Sequence, residues 1–327
     1  MMTERILGKD LKVSSIGLGC MGFSHAYGEP TETKTAVKAL RNSLDLGYSF
    51  FDTAECYGPY DNEKMIGEAF SHCRDKVVIA TKFGVKHAPD RSLILDSRPE
   101  VIRKSVEGSL KRLKTEYIDL YYQHRIDPKV PAEEVAGVMQ DLIREGKITH
   151  WGISEANEEY LRRAHAVCPV TAIQNRYSMM YREYEALFPV LEELGIGFVA
   201  FSPLANGLLS GMYDSYCSFN KESDYRAEMP QFQPKAYNQN RKLFELLHKK
   251  SSEKKATYSQ IALAWMLFKK NYIVPIPGTR KEYRMYENAK AADKFLTQAE
   301  VSEIDEALEK MTMSEVFGGH KRFVPKK

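Results

Sequence analysis

With two tryptophans and five cysteines in 327 residues, the sequence offers little for a disulfide or metal framework. The cysteines (Cys20, Cys56, Cys73, Cys168 and Cys217) are odd in number and never spaced Cys-x-x-Cys. That pattern argues against paired disulfides and against a zinc site, and it fits a reducing compartment. Long apolar runs are missing too, since nothing approaches the roughly 18 residues that a membrane span requires. The opening Met1-Met2-Thr3-Glu4-Arg5 is charged where a secretory signal would be apolar. Nor is one sign of charge in excess: 47 basic residues face 44 acidic ones, for a net charge of +3. The densest basic cluster, Lys249, Lys250, Lys254 and Lys255, reads as a solvated helix face rather than a nucleic-acid footprint. These absences predict a cytoplasmic protein with no metal, no nucleic-acid partner and no membrane partner.

What is present is ordinary globular material, 43% hydrophobic and 28% charged, enough for a large core. From residue 15 short apolar runs alternate with longer amphipathic ones. The runs are 15–20, 48–54, 76–83, 117–124, 149–154, 171–178, 197–203 and 272–278. Several are unbroken rather than alternating, as parallel strands covered on both faces read. Helical periodicity fills the gaps, as in Pro99 to Leu113, Pro131 to Glu145 and Tyr184 to Leu194. Eight such units predict one α/β domain over residues 1–327, either a doubly wound sheet or a (β/α)8 TIM barrel. The barrel is favoured because the candidate polar residues sit at the same end of successive strands.

Three segments depart from simple alternation. Residues 5–14 read as an N-terminal hairpin turning at Gly8-Lys9-Asp10. Residues 205–240 form a long loop after strand seven, too rich in aromatics (Tyr213, Tyr216, Phe219, Tyr225, Phe232) for simple disorder and long enough to be a lid. An extra C-terminal helix near 298–311 precedes the tail 313–327, with a bend at Gly318-Gly319.

Gly17-Leu18-Gly19-Cys20-Met21-Gly22 matches G-x-G-x-x-G, but the dinucleotide fingerprint needs a helix starting at that turn. Here helical pattern resumes only after Thr31, and no acidic strand end follows at the required distance. The glycines are read instead as backbone room beside a ligand at the end of strand one.

The chemistry gathers at three consecutive strand ends. Asp52 follows Tyr48-Ser49-Phe50-Phe51, Lys82 follows Val77 to Thr81, and His124 follows Ile118 to Gln123. Neighbouring strands lie about 4.8 Å apart, so inward side chains at matching heights fall within about 10 Å of one another. A lone buried carboxylate or ammonium is costly, whereas an Asp–Lys pair offsets that cost. Tyr57 lies five residues beyond Asp52, in a loop where barrel active sites are built. A phenol of ordinary pKa, about 10, donates a proton reluctantly at neutral pH. A lysine about 4 Å away would favour the phenolate, with Asp52 holding that lysine charged and His124 donating to the same substrate oxygen.

Phe50-Phe51-Asp52-Thr53-Ala54-Glu55-Cys56-Tyr57-Gly58, Ala80-Thr81-Lys82 and Gln123-His124 resemble the aldo-keto reductase family, over essentially the whole chain. His124-Arg125-Ile126-Asp127-Pro128 and Pro275-Ile276-Pro277-Gly278-Thr279-Arg280 are similar to its bacterial, plant and fungal branch, which includes pyridoxal-reductase and auxin-induced-type members. The resemblance implies a catalytic tetrad of Asp52, Tyr57, Lys82 and His124. It implies reduction of a small aldehyde or ketone to an alcohol with NADP(H), Tyr57 acting as general acid. It also implies a cofactor site. Ser154 and Gln174 would hold the nicotinamide carboxamide, and Phe201 would stack on its ring. Ser202, Leu204 and the segment Gly207 to Ser210 would line the pyrophosphate. Gly278, Thr279, Arg280, Arg284, Glu287 and Asn288 would bind the 2′-phosphate and adenine, the two arginines suiting bidentate phosphate binding. Two positions depart from the family pattern: Glu155 stands where many members carry Asn, and Leu204-Ala205-Asn206-Gly207 lacks the arginine of Leu-Gly-Arg-Gly.

Two other readings use the same residues. A non-catalytic cofactor-binding module would resemble potassium-channel β subunits, which share the fold. A barrel isomerase or aldolase would use Lys82 as a Schiff base. Met21, Phe23, Tyr27, Cys56, Arg125 and the tail around Phe317 and Phe323 are candidates for the substrate pocket.

Overall fold

The computed structural model describes residues 2–88, 92–293 and 296–316. An antiparallel hairpin, β1 (Glu4–Leu7) and β2 (Leu11–Ser14), opens the chain. It turns at Gly8, whose φ of 62° a residue without Cβ adopts easily. Next come β3 (Leu18–Gly19), β4 (Phe50–Asp52) and β5 (Val78–Phe83), then a small hairpin of β6 (Val85–His87) and β7 (Leu93–Leu95). The chain continues through β8 (Ile118–Gln123), β9 (Ile148–Ser154), β10 (Ala172–Arg176), β11 (Gly197–Phe201) and β12 (Ile273–Pro275). Apart from the two hairpins, the strands form one parallel sheet in sequence order, from β3 to β12. All eight apolar runs of the sequence supply its strands, and the (β/α)8 reading holds.

The barrel closes where β3 meets the end of β12. Gly17 N donates to Pro275 O at 2.9 Å, and Gly19 bridges Gly278 in parallel. A Cβ on Gly19 would stand 2.8 Å from Ile276 O, and one on Gly17 would stand 2.6 Å from the Phe50 ring. These two glycines serve closure of the barrel, and Gly19, with Gly22, also lines the cleft above it. No helix starts behind them: a 3-10 turn spans Met21–Phe23 and the first helix is Thr33–Asp45.

Inside the barrel, Phe50, Ala80, Leu120, Tyr122, Ala172, Val199, Val274 and Ile276 form one apolar cluster, joined by Leu7, Leu11 and Val13 of the hairpin. Outside, each helix buries one stripe. Helix Ala132–Arg144 buries Val135, Val138, Met139 and Leu142, the i, i+3, i+4, i+7 pattern. Each such side chain contributes about 1.5–3 kcal/mol of burial. Helix Tyr258–Lys269 is buried along most of its length, from Ser259 to Leu267. It packs against both the preceding helix, Arg241–Lys254, and the terminal helix, Gln298–Glu309. Part of the lysine cluster belongs to that seam. Buried Lys250 reaches Glu303 at 2.6 Å, Lys249 reaches it at 3.1 Å, and Lys254 pairs with Glu300 at 2.6 Å. Lys250 and Lys254 thus belong to a helix–helix seam, whereas Lys249 and Lys255 stay exposed as a solvated face would have them.

Residues 205–240 carry short 3-10 turns (Ala205–Ser210, Tyr225–Glu228, Pro230–Phe232) and a helix, Pro234–Gln239. Tyr213, Phe219 and Phe232 pack ring to ring, with centroids 5.0–5.5 Å apart. The segment reaches the loop after β3, where Tyr225 N donates to Ala26 O at 2.9 Å and Gly28 N to Ser223 O at 3.0 Å. Among the described residues no helix is long and apolar enough to cross a membrane. Phe317, Phe323 and the bend at Gly318-Gly319 lie outside the described residues.

Candidate active site

Alternation along each barrel strand sets the site. Asp52 lies two residues beyond Phe50, Lys82 beyond Ala80, His124 beyond Tyr122, Gln174 beyond Ala172 and Phe201 beyond Val199. With a side-chain period of two, all five continue the inward-facing rows, at their C-terminal ends. The polar mouth is the next layer of the apolar interior.

Fully buried Lys82 extends its Nζ to Asp52 Oδ1 at 2.5 Å and to the Thr53 carbonyl at 2.7 Å. The same Nζ stands 3.4 Å from the Tyr57 hydroxyl. Asp52 Oδ2 accepts a bond of 2.6 Å from Gln174 Nε2. The His124 ring meets Tyr57 edge-on at 5.8 Å between centroids, and its Nδ1 faces Cys56 Sγ at 3.6 Å. The four candidate tetrad residues therefore converge, and an ammonium held by a carboxylate and a carbonyl is a poor Schiff-base nucleophile.

The charges do not act as simple pair arithmetic suggests. Burial pushes the Tyr57 phenol well above 10, and the negative charge of Asp52 adds to that. Lys82 Nζ stands closer to Asp52 than to the Tyr57 hydroxyl, so the phenol beside that ammonium also feels the carboxylate that raises it. The neighbouring cation that lowers the phenol is Arg125. Burial, then Arg125 and Lys82, holds His124 well below 6.5, so the imidazole is neutral at pH 7. Burial also pushes Cys56 up to about 12, which keeps it a thiol. The tautomer in which Nδ1 accepts from the Cys56 thiol carries its proton on Nε2.

A cleft of about 690 Å³ runs from this mouth across the top of the barrel. Ser154, Gln174, Phe201, Ser202, Leu204, Gly207, Ser210, Gly278, Thr279, Arg280, Arg284 and Asn288 all line it. Glu287 does not; it pairs with Arg284 at 3.2 Å. Ser154 Oγ accepts from Arg125 Nη1 at 3.1 Å, which leaves its own O–H to donate. The Arg280 guanidinium is partly engaged, its Nη1 donating to Glu29 O at 2.6 Å and its Nη2 to Tyr27 O at 2.9 Å. Of the substrate-pocket candidates, Met21, Tyr27, Cys56 and Arg125 line the cleft. Phe23 does not: it is a core residue, 1% exposed. Glu155, Ser202 and Asn206, at φ 56°, 51° and 60°, are non-glycine residues in left-handed backbone along the cleft, a clustering typical of functional loops.

Sequence reading missed a second tier. Arg226 lines the cleft from the long loop, held by Asp224 at 2.6 Å and standing 5.1 Å from the Tyr27 ring centroid. Asn206, at the position of the missing arginine, donates to Tyr27 OH at 2.8 Å. His25 and His87 line the substrate end, 5.0 Å apart, with Tyr225 OH 3.1 Å from His25 Nε2. Behind Lys82, Thr81 Oγ1 donates to Glu63 at 2.6 Å, and Arg112 Nε donates to the same carboxylate at 2.5 Å. These partners come from loops and helix faces with no shared period, so no pattern in the sequence marks them.

The model of the aldo/keto reductase family matches residues 15–309. A probable aldo-keto reductase of Glycine max is 38% identical over 310 residues, covering 94% of this chain and 88% of that protein. The solved glycerol dehydrogenase of Gluconobacter oxydans superposes with a TM-score of 0.85 at 28% identity, over 97% of this chain and 98% of its own. An aldo/keto reductase of Klebsiella pneumoniae, solved with NADP and acetate, shares the fold with a TM-score of 0.74 at 23% identity, over 97% and 100% of the two chains. The family match over nearly the whole chain agrees with the four polar residues converging at the barrel mouth, and the chain belongs to the aldo/keto reductase family.

Proposed function

We propose that this chain reduces an aldehyde or ketone to the alcohol with NADPH, Tyr57 supplying the proton. The observation that carries the reading is the placement of the Tyr57 hydroxyl 3.4 Å from Lys82 Nζ, beside neutral His124, at one end of the cleft. The cleft fits a dinucleotide by its donor set. Hydroxyl and amide groups stand at Ser154 and Gln174, an aromatic face at Phe201, a tight backbone turn at Leu204 to Ser210, and cations at Lys281 and Arg284.

When bound, NADPH supplies the hydride that adds to the carbonyl carbon. Tyr57 and His124 act on the carbonyl oxygen from the protein side: Tyr57 O–H donates the proton and His124 Nε2–H donates a hydrogen bond. Lys82 stabilises the phenolate that remains, and Asp52 with Thr53 O fixes the lysine in place. Gln174 holds the far oxygen of Asp52 with one amide proton and keeps a second for the carboxamide.

Tyr57→Phe tests this reading. It removes one hydroxyl and preserves the ring, so the fold and NADPH affinity should survive. The kcat for an aldehyde should fall by about 10²- to 10⁴-fold, the range of general acid catalysis. A Phe variant keeping more than about half the wild-type rate would show that Tyr57 is not the proton donor.

A further inference from the structure

Resting on that function, we infer that the preferred substrate carries a carboxylate in addition to its carbonyl group, and that Arg125 recognises it. Arg125 follows His124 and lines the cleft. Its Nη1 donates to His124 O at 2.6 Å and to Ser154 Oγ at 3.1 Å, which fixes the guanidinium plane. Among the described residues, Nε and Nη2 meet no acceptor, and no carboxylate lies within ion-pair distance. Those two N–H groups share one edge of the plane, the fork that takes both oxygens of a carboxylate.

The other cleft arginines are matched within the protein. Asp224 holds Arg226, Glu287 holds Arg284, and two carbonyls hold Arg280. Glu155 is the acidic neighbour whose charge acts on Arg176. Asp52 is taken by Lys82. Arg125 acts electrostatically on Tyr57, Cys56 and His124, so its charge reaches the place where the carbonyl would react. His25 and His87 line the same end, adding nitrogen groups rather than carboxylates. A partly desolvated cation with a free bidentate edge favours an anion over a neutral group of the same shape.

The test compares acids with their neutral methyl esters: 4-oxobutanoate and 4-formylbenzoate, each against its ester, with NADPH. At least one acid should exceed its ester in kcat/KM by about tenfold or more, as a charge-assisted contact sustains. In Arg125→Met that acid-to-ester ratio should fall to within about threefold of unity, and Arg125→Lys should retain an intermediate ratio. Esters reduced as well as both acids by the wild type would overturn the inference and leave the reductase reading standing. A ratio that persists in Arg125→Met would overturn it as well, by assigning the recognition elsewhere. No turnover of any acid or ester would overturn the reductase reading and the inference with it.

Discussion

Arg280 and Arg284 share a segment, yet the structure predicts that only one of them distinguishes NADPH from NADH. Arg284 lines the cleft with its side chain 19% exposed and has Glu287 3.2 Å away. A 2′-phosphate there would gain a charge-assisted contact of about 1–3 kcal/mol, and sharing the guanidinium with Glu287 restricts the net to the lower part of that range. Arg284→Met should therefore weaken NADPH binding by about 5- to 30-fold and leave NADH unchanged. Arg280 spends both terminal nitrogens on Tyr27 O and Glu29 O, tying the loop after β3 over the cleft. Arg280→Met loosens that loop whichever cofactor enters, so NADPH and NADH should weaken by a similar factor. Fluorescence titration of both cofactors against both variants gives the four constants. If Arg280→Met discriminates against NADPH while Arg284→Met does not, the assignment from hydrogen bonding is wrong.

Lys82→Met leaves the buried carboxylate of Asp52 with Gln174 as its remaining side-chain partner, so unfolding in urea should show a loss of about 3–5 kcal/mol, with reductase activity lost too. A Met variant as stable as the wild type would mean that the pair is not buried in solution. His124 is held neutral below its ordinary 6.5. The unfolded chain therefore binds the extra proton: stability is full above about pH 6.5 and falls as pH drops, by at most about 1.4 kcal/mol per pH unit. His124→Asn should show a shallower dependence between about pH 5 and 7, measured as urea midpoints, and an equal slope would count against a buried neutral imidazole. Limited proteolysis should cut near residues 214–226, and NADPH should suppress the cut if this segment closes over the cofactor. Equal cutting with and without NADPH would remove the lid role.

How much of this was legible in the sequence follows from which contacts leave a periodic trace. Strands buried on both faces must be apolar throughout, so the runs around Phe50, Ile79, Leu120 and Val199 mark themselves. The hairpin of β6 and β7 escapes: three residues a side, with exposed Lys86 and His87, resemble loop composition. The segment 205–240 reads as long and aromatic, but its packing does not. Phe219, Phe232 and Arg226 meet through a folded loop rather than a repeat. Lys250 and Lys254 misread as solvent-facing because their acidic partners lie some fifty residues away, on the terminal helix.

The site shows the same division more sharply. The convergence of Asp52, Lys82 and His124 was legible, because each interrupts, ends or follows an apolar strand and period two fixes where it points, whereas Tyr57 comes from the loop after β4. The electrostatics of the site were not, because they depend on burial and on third parties. For Tyr57 desolvation is the largest influence, and the charge of Asp52 adds to it. The result is a mouth whose reacting groups rest in neutral forms: a phenol, an imidazole and a thiol. The Asp52–Lys82 charges are matched to each other. Such a site gains little by binding a neutral carbonyl in its ground state. On the mechanism proposed above, it gains most when negative charge develops on the oxygen, where Tyr57 O–H, His124 N–H and the nearby Lys82 would all act on that charge. Stabilisation concentrated in the transition state raises kcat rather than substrate affinity. Affinity must then come from elsewhere in the substrate, and the open edge of Arg125 is the group placed to supply it.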